Sequence, residues 1–460
     1  MNLAPELQRI LRETPELQRA FLVGGCVRDA LLGLPAGKDY DIEVFGVEYD
    51  RLMAALSRWG RTDLVGRSFG VVKLSTGSGC QYDFSLPRRD SKVAPGHKGF
   101  RIEFDAAITL PEAAGRRDFT INSLMYDPRT GEVLDFFGGR ADLENRVLRH
   151  ASEAFAEDPL RVLRGMQFAG RFDLKAAPET VALCRRIKGS YAELAVERVR
   201  EEWFKWAQRS ERPSAGLRFL VDTEWAGHFP EIQALNGTVQ EPEWHPEGDV
   251  FTHTCHCCDA LAGLEEWRRA DAESRIVYML AILAHDFGKP ATTHRALRDG
   301  RMRIVSPGHE EAGAEAAKVF LDRFRTPAAM RERILSLVRN HLFHFAAMTD
   351  RAVRRLASRL APENIEGLCL VMTADSMGRP PRPAVVPEHV KALLARAREL
   401  EVREKPAPPI LLGRHLIELG LPAGREMGEI LEKAYEAQLE GAIKDLPGAL
   451  EWLKTLRLGQ

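Results

Sequence analysis

Strand-period patterning in this chain stops near residue 140, and that change limits the folds open to it. Up to that point short β-rich runs at Ala20–Val23, Asp41–Phe45, Val71–Ser75 and Gln81–Leu86 mix with helical stretches and many glycines, the pattern of an α/β domain. From about Leu143 onward helical periodicity takes over, with breaks at the Pro-containing stretch Asn236–Pro246 and at Lys405–Ile410. A chain of 460 residues exceeds one core of ~100 to 200 residues. The expected architecture is therefore multi-domain, an α/β head followed by a nearly all-α remainder.

Composition excludes several classes. Lys plus Arg (65) and Asp plus Glu (66) cancel, so no overall basic field holds nucleic acid, and an RNA partner would be bound locally. A hydrophobic fraction of 45% and a charged fraction of 28% are those of a globular protein rather than a disordered or coiled-coil one. No run approaches the ~18 apolar residues of a membrane span. The first twenty residues carry Glu6, Arg9, Arg12, Glu13 and Glu16 where a signal peptide is apolar. Seven cysteines, with Cys255, Cys257 and Cys258 crowded together, suit a reducing cytoplasm better than a disulfide framework.

The stretch Phe21–Gly33 (FLVGGCVRDALLG) reads as a strand, the pair Gly24 and Gly25, then a helix bearing Arg28 and Asp29. The glycines let backbone N–H groups approach an anion, or simply make a tight strand-to-helix turn. Next, Lys38–Gly46 (KDYDIEVFG) sets Asp39 and Asp41 two apart on a strand whose Ile42 and Val44 point the other way. Carboxylates this close repel unless a cation lies between them, which points to divalent metal. The alternative is a solvated strand face that also carries Glu43. Asp83, on the face opposite Tyr82 and Phe84, completes a three-carboxylate site if the two strands pair.

Five motifs then occur in order: GGCVRD, DYD, Arg116–Ser123 (RRDFTINS), Glu157–Arg164 (EDPLRVLR) and Glu197–Glu201 (ERVRE). Together they resemble the bacterial class II tRNA nucleotidyltransferases, the CCA-adding family with a polymerase β-like head, over roughly residues 15–210. The resemblance implies template-independent addition of CCA to the 3′ end of tRNA from CTP and ATP, with the acceptor arm as partner. It implies Mg²⁺ held by Asp39 and Asp41, a triphosphate met by Arg28, and ribose and phosphates positioned by Arg117, Asp118 and Asn122. Within Glu157–Arg164, containing Glu157, Asp158, Arg161 and Arg164, it implies that Asp158 and Arg161 read the base edge. Locally, Asp158 before Pro159 is also a good helix cap. A-adding and CC-adding enzymes and poly(A) polymerases share related heads. The basic stretch Arg88–Arg101, with five basic residues against one acidic, reads as a mobile surface loop; by the resemblance it aids the change from CTP to ATP.

A second constellation lies further on. Residues Ile276–Pro290 (IVYMLAILAHDFGKP) form an apolar helix ending in His285 and Asp286. Such a pair at a buried helix end needs a hydrogen-bond partner or a metal. With His253, His309, His341 and Asp375 it resembles the HD phosphohydrolase superfamily in its fuller, dinuclear form, over about 245–380. Imidazole and carboxylate ligands favour Ni²⁺, Co²⁺, Mn²⁺ or Fe²⁺. A rival zinc reading uses His253, His256, Cys257 or Cys258 on one helix face. Lone His294 and His344 read as ordinary residues. The expected domains are a head at 1–140, a neck at 141–235, an HD-type domain at 236–400 and a helical tail at 401–460 containing Leu411–Ile443, which in the family holds the far end of the acceptor minihelix.

Overall fold

The alternation that puts Tyr40, Ile42 and Val44 on one face and Asp39, Asp41 and Glu43 on the other builds the middle of a sheet. The computed structural model describes residues 1, 3–35, 39–63, 70–77, 81–92, 100–104, 107–343 and 348–458. It divides into two compact units, Met1–His228 and Phe229–Gln460.

Among the described residues of the first unit nine strands precede the neck: β1 (Ala20–Val23), β2 (Asp39–Val44), β3 (Arg61–Asp63), β4 (Val71–Ser75), β5 (Gln81–Ser85), β6 (Arg88–Lys92), β7 (Phe100–Phe104), β8 (Met125–Tyr126) and β9 (Val133–Leu134). Seven form one mixed sheet in the order β3-β4-β5-β2-β1-β8-β9. β2 and β5 run parallel with Asp41 opposite Asp83, so the pairing that a third carboxylate requires is present. Ile42, Val44, Tyr82 and Phe84 bury the other face together with Leu7 and Ile10 of the first helix, Pro5–Glu13. β6 and β7 pair antiparallel, so the ends of the stretch expected as a loop are a hairpin; residues 93–99 lie outside the described residues. The neck helices Leu160–Phe172, Val196–Arg209 and Pro213–Asp222 pack around Trp203 and Trp206, both fully buried.

The second unit is helical, with Val250–Gly263, Ala272–Ala284, His309–Arg323, Ala328–Asn340 and Ile365–Met377 as its main helices. It departs from the all-α expectation at one hairpin, His294–Arg298 with Arg301–Val305, in antiparallel register. The signal was the Asp299-Gly300 turn, a strong hairpin dipeptide, masked by strands rich in arginine. The final helices Gly413–Glu418, Arg425–Leu439 and Leu446–Leu458 gather their own core around Leu416, Leu421 and Ile430. All six described cysteines are free. Among the described residues no helix is long and apolar enough to cross a membrane.

Candidate active sites

The first site grows from the turn after β1. Gly24 takes φ 71°, which favours glycine, and a side chain there would press on Arg117 Nη1 at 3.1 Å. The turn therefore lets Arg117 close over the strand end. Asp39 and Asp41 are exposed and Asp83 is half-buried, all on one sheet face. Although Asp41 is exposed as a whole residue, burial of its carboxyl end raises it above its ordinary value; Arg117 opposes this, while Asp83 and Asp39 add to it. Asp83 Oδ1 is buried without a hydrogen-bond partner, although its other oxygen lies 3.4 Å from Lys73. A strained, partly unsatisfied carboxylate cluster is what a divalent cation would relieve. Glu43 is not the solvated residue of the alternative reading: it is 9% exposed and accepts from Arg117 Nη2 at 3.1 Å.

Behind this edge lies a cavity of about 480 Å³ whose walls include Gly24, Gly25, Arg28, Asp41, Asn122 and Arg164. A continuous polar chain crosses it. Arg28, 3% exposed, donates to Asn122 Oδ1 at 2.5 Å and to Asp29 Oδ1 at 2.6 and 2.8 Å, with its guanidinium 4.5 Å from the Phe172 ring centroid. Asn122 donates to Asp118 Oδ1 at 2.9 Å, and Arg164 Nε donates to Asp118 Oδ2 at 2.7 Å. Four of the residues expected to meet nucleotide, Arg28, Asn122, Asp118 and Arg164, are thus linked in one chain, and Arg28 is a buried strut as well as a cavity wall.

Burial alone would raise the Asp118 carboxyl, but Arg164, Asn122 and the Phe119 N–H hold it below the ordinary value. The sign follows from linkage: its stabilisation is full above the unfolded carboxylate value of about 4 and fades as pH falls through the lowered folded value. Breaking a buried ion pair costs about 3–5 kcal/mol, and Arg164 remains 35% exposed. Asp118→Asn should therefore lose about 2 kcal/mol at neutral pH and part of the acid-side fall in stability, both read by urea unfolding at several pH values.

Asp158 does two things at once. Its Oδ1 accepts from the Leu160 N–H at 3.1 Å, which supports the start of helix Leu160–Phe172, and Arg198 grips both oxygens at 2.8 and 3.4 Å. Arg161 donates to the carbonyls of Ala154 and Arg116, each at 2.8 Å, so the two are not directly paired. Glu157 lies 3.7 Å from Arg116. Arg198, half-buried, belongs to the ERVRE motif but carried no expected role, because nothing local shows which neighbour a helical arginine meets.

The second site sits where five helices meet, with His253 on Val250–Gly263 and Asp375 on Ile365–Met377. His285 ends helix Ala272–Ala284, His309 opens His309–Arg323, and His341 ends Ala328–Asn340. Each fixes its ring by bonding Nδ1 to the carbonyl three residues back, at Ile282 (2.6 Å), Ser306 (2.6 Å) and Val338 (2.7 Å). Nε2 is then free to turn inward, as metal-ligating imidazoles require. The turn after Asp286 is pressed onto the next helix so closely that a side chain at Gly288 would come 2.1 Å from the His309 carbonyl.

Asp286 joins two groups. One oxygen lies 3.4 Å from His309 Nε2 and 4.0 Å from His341 Nε2; the other is 3.2 Å from His285 Nε2 and 2.7 Å from Lys289. His253 Nε2 faces Asp375 at 3.0 Å and His285 Nε2 at 3.4 Å. Among the described residues, His253, Cys257, His285 and Asp375 form one potential ligand set, and Asp286, His309 and His341 another. The second set fits a cation: His309 Nε2 and His341 Nε2 are buried without hydrogen-bond partners, and burial lowers His341 to about 3, keeping its lone pair available. Although burial opposes ionisation, Arg379 at Asp375 and His285 at Asp286 hold both carboxyls well below their ordinary values.

The zinc reading is met in part: His253 and Cys257 share one potential ligand set, whereas His256 and Cys258 are in none, and burial holds the Cys258 thiol well above its ordinary value, which disfavours a thiolate ligand there. His294 is exposed, and His344 lies outside the described residues. Sequence reasoning missed Glu247, whose side chain is fully buried and lies 2.7 Å from His253 Nδ1 and 2.9 Å from His245 Nδ1. Its short HPEGD context carries no periodic signal.

Comparison with known proteins agrees with this two-site arrangement. Residues 20–149 match the poly A polymerase head domain and residues 250–379 the HD domain. The chain is 36% identical over 412 residues to the multifunctional CCA protein of Xanthomonas campestris pv. campestris, covering 85% of this chain and 95% of that one. It is 38% identical over 374 residues to that of Methylococcus capsulatus, covering 78% and 82%. The CCA-adding enzyme of Bacillus stearothermophilus in complex with CTP has the same fold, with a TM-score of 0.67 at 21% identity over 100% of both chains. The Thermotoga maritima CCA-adding enzyme complexed with tRNA gives 0.57 at 20% identity, covering 99% and 96%. With a nucleotidyltransferase head, an HD domain and relatives this similar over most of its length, the chain belongs to the multifunctional CCA protein family.

Proposed function

We propose that this protein adds CCA to the 3′ end of tRNA from CTP and ATP, and that its HD domain is a separate metal-dependent phosphoesterase acting on small 2′,3′-cyclic or 2′-phosphates. The observation that carries the first activity is the face shared by Asp39, Asp41 and Asp83, with Asp41 at the edge of the arginine-lined cavity. Phosphoryl transfer asks the protein mainly for in-line positioning and charge neutralisation. Mg²⁺ held by Asp39 and Asp41 would supply activation of the RNA hydroxyl and neutralisation of the departing pyrophosphate. Arg28, Arg117 and the Asn122–Asp118–Arg164 chain hold triphosphate and ribose, with Gly24 and Gly25 offering backbone N–H groups. The tRNA acceptor arm is the partner, its far end held by the helical tail 401–460, and the cytoplasm is the site of action. Head, neck, HD domain and tail divide at about residues 140, 235 and 400.

Asp158 and Arg161 select the base, with Arg198 orienting the Asp158 carboxylate. Asp158→Ala and Arg161→Ala should therefore relax discrimination of CTP and ATP against UTP and GTP by about tenfold, the worth of one lost hydrogen bond to a charged group. Single-nucleotide incorporation read on gels checks this. An Asp158 variant that loses about 1 kcal/mol of stability but keeps its nucleotide preference would leave only the helix-start role.

For the second activity, ions such as Ni²⁺, Co²⁺ or Mn²⁺ between His253, His285, Asp286, His309, His341 and Asp375 would lower the pKa of a water and neutralise phosphate charge. Lys289 and Arg379, on the same cavity, are placed to meet phosphate oxygens.

A further inference from the structure

We infer that Trp244 is the base-stacking residue of the HD-domain cavity, the flat surface on which the base of a nucleotide phosphoester lies. This rests on reading that site as a phosphoesterase. The cavity holds about 560 Å³ and is bounded by Trp244 and His245 as well as Asp286, His309, His341 and Asp375. That volume suits a nucleotide-sized ligand.

The tryptophan is set like a platform. It is 40% exposed, although a ring of this size gains by burial, and Arg303 stands 5.2 Å from the ring centroid. Arg303 is itself fixed, 2.6 Å from Glu243 and 3.8 Å from Glu241. The hairpin strand that carries it is tied to the same segment, because the Ile304 N–H donates to Glu241 at 2.9 Å. On the other side, His245 bonds Glu247, which bonds the candidate ligand His253. The ring is thus anchored through its neighbours both to the hairpin and to the metal-holding helix. A phosphate at the inner end of the cavity would meet Lys289 and Arg379, while a planar group on the same molecule would lie at the Trp244 rim.

Stacking on one aromatic face is tolerant of base identity, because every base has a π-face. The expected selectivity is therefore for nucleotides over base-free phosphoesters, with little preference among bases. Full-length protein supplied with Mn²⁺ or Ni²⁺ would be assayed on nucleoside 2′,3′-cyclic phosphates and on ribose 2,3-cyclic phosphate, which lacks the base. Trp244→Ala should raise KM for the nucleotides about tenfold with kcat little changed. It should leave kcat/KM for the base-free ester unaltered, and Trp244→Phe should restore most of the loss. Equal loss on both substrates in Trp244→Ala, or an unchanged nucleotide KM, overturns the inference while the phosphoesterase reading stands. If the wild-type protein hydrolyses neither compound with either ion, the phosphoesterase reading fails and the inference fails with it.

Discussion

Asp39→Ala and Asp41→Ala should each lower the rate of nucleotide addition by about three orders of magnitude, since a lost catalytic metal removes several kcal/mol of charge stabilisation. Stability should move the other way or not at all. Asp41 is held above its ordinary carboxylate value by burial and by two neighbouring acids, so its ionisation costs the folded protein more than the unfolded chain. Removing it relieves repulsion, as is common where activity and stability pull apart. Thermal unfolding and tRNA affinity should therefore stay close to wild type while addition of labelled nucleotide disappears. Retention of more than about a tenth of the rate in both variants would contradict the metal role, and a parallel collapse of stability would make the carboxylates structural.

Asp286→Ala is the second large effect. Its carboxylate is the group common to both halves of the HD site, within 3.4 Å of His309 and 3.2 Å of His285. Phosphoesterase activity should fall by about three orders of magnitude, and metal analysis of the purified protein should show bound ion lost as well. Nucleotide addition should be nearly unchanged, because Asp286 belongs to a different compact unit from Asp39 and Asp41. Alanine also strips Lys289 of its partner at 2.7 Å, and an unpaired buried charge destabilises. Asp286→Asn keeps the shape and an oxygen to accept from Lys289, so it limits the packing and hydrogen-bond loss while still removing the carboxylate ligand. Phosphoesterase activity that survives both changes would contradict the assignment.

Much of this arrangement was legible because its signals are local. Period-2 alternation placed Asp39 and Asp41 on one face of β2, and the helix-ending His285–Asp286 pair marked the HD site. What was not legible depends on contacts between distant segments. The carboxylate of Glu43 belongs to the same strand face as the aspartates, yet its burial comes from Arg117, 74 positions away. Asp158 looked like a cap and also meets Arg198, 40 positions on. The hairpin at 294–305 was hidden by its own exposure: a strand with few buried side chains lacks the apolar alternation by which strands are read, and only the Asp299-Gly300 turn betrayed it.

The most direct measurement presents the protein with tRNA ending at the discriminator base, at C and at CC, supplies labelled CTP or ATP, and resolves the products to single nucleotides. C should be added to the first two substrates and A to the third, both nucleotides together should complete CCA on all three, and addition should then stop. Failure to extend any of the three, or runs of A beyond the CCA end, would contradict CCA addition by this protein.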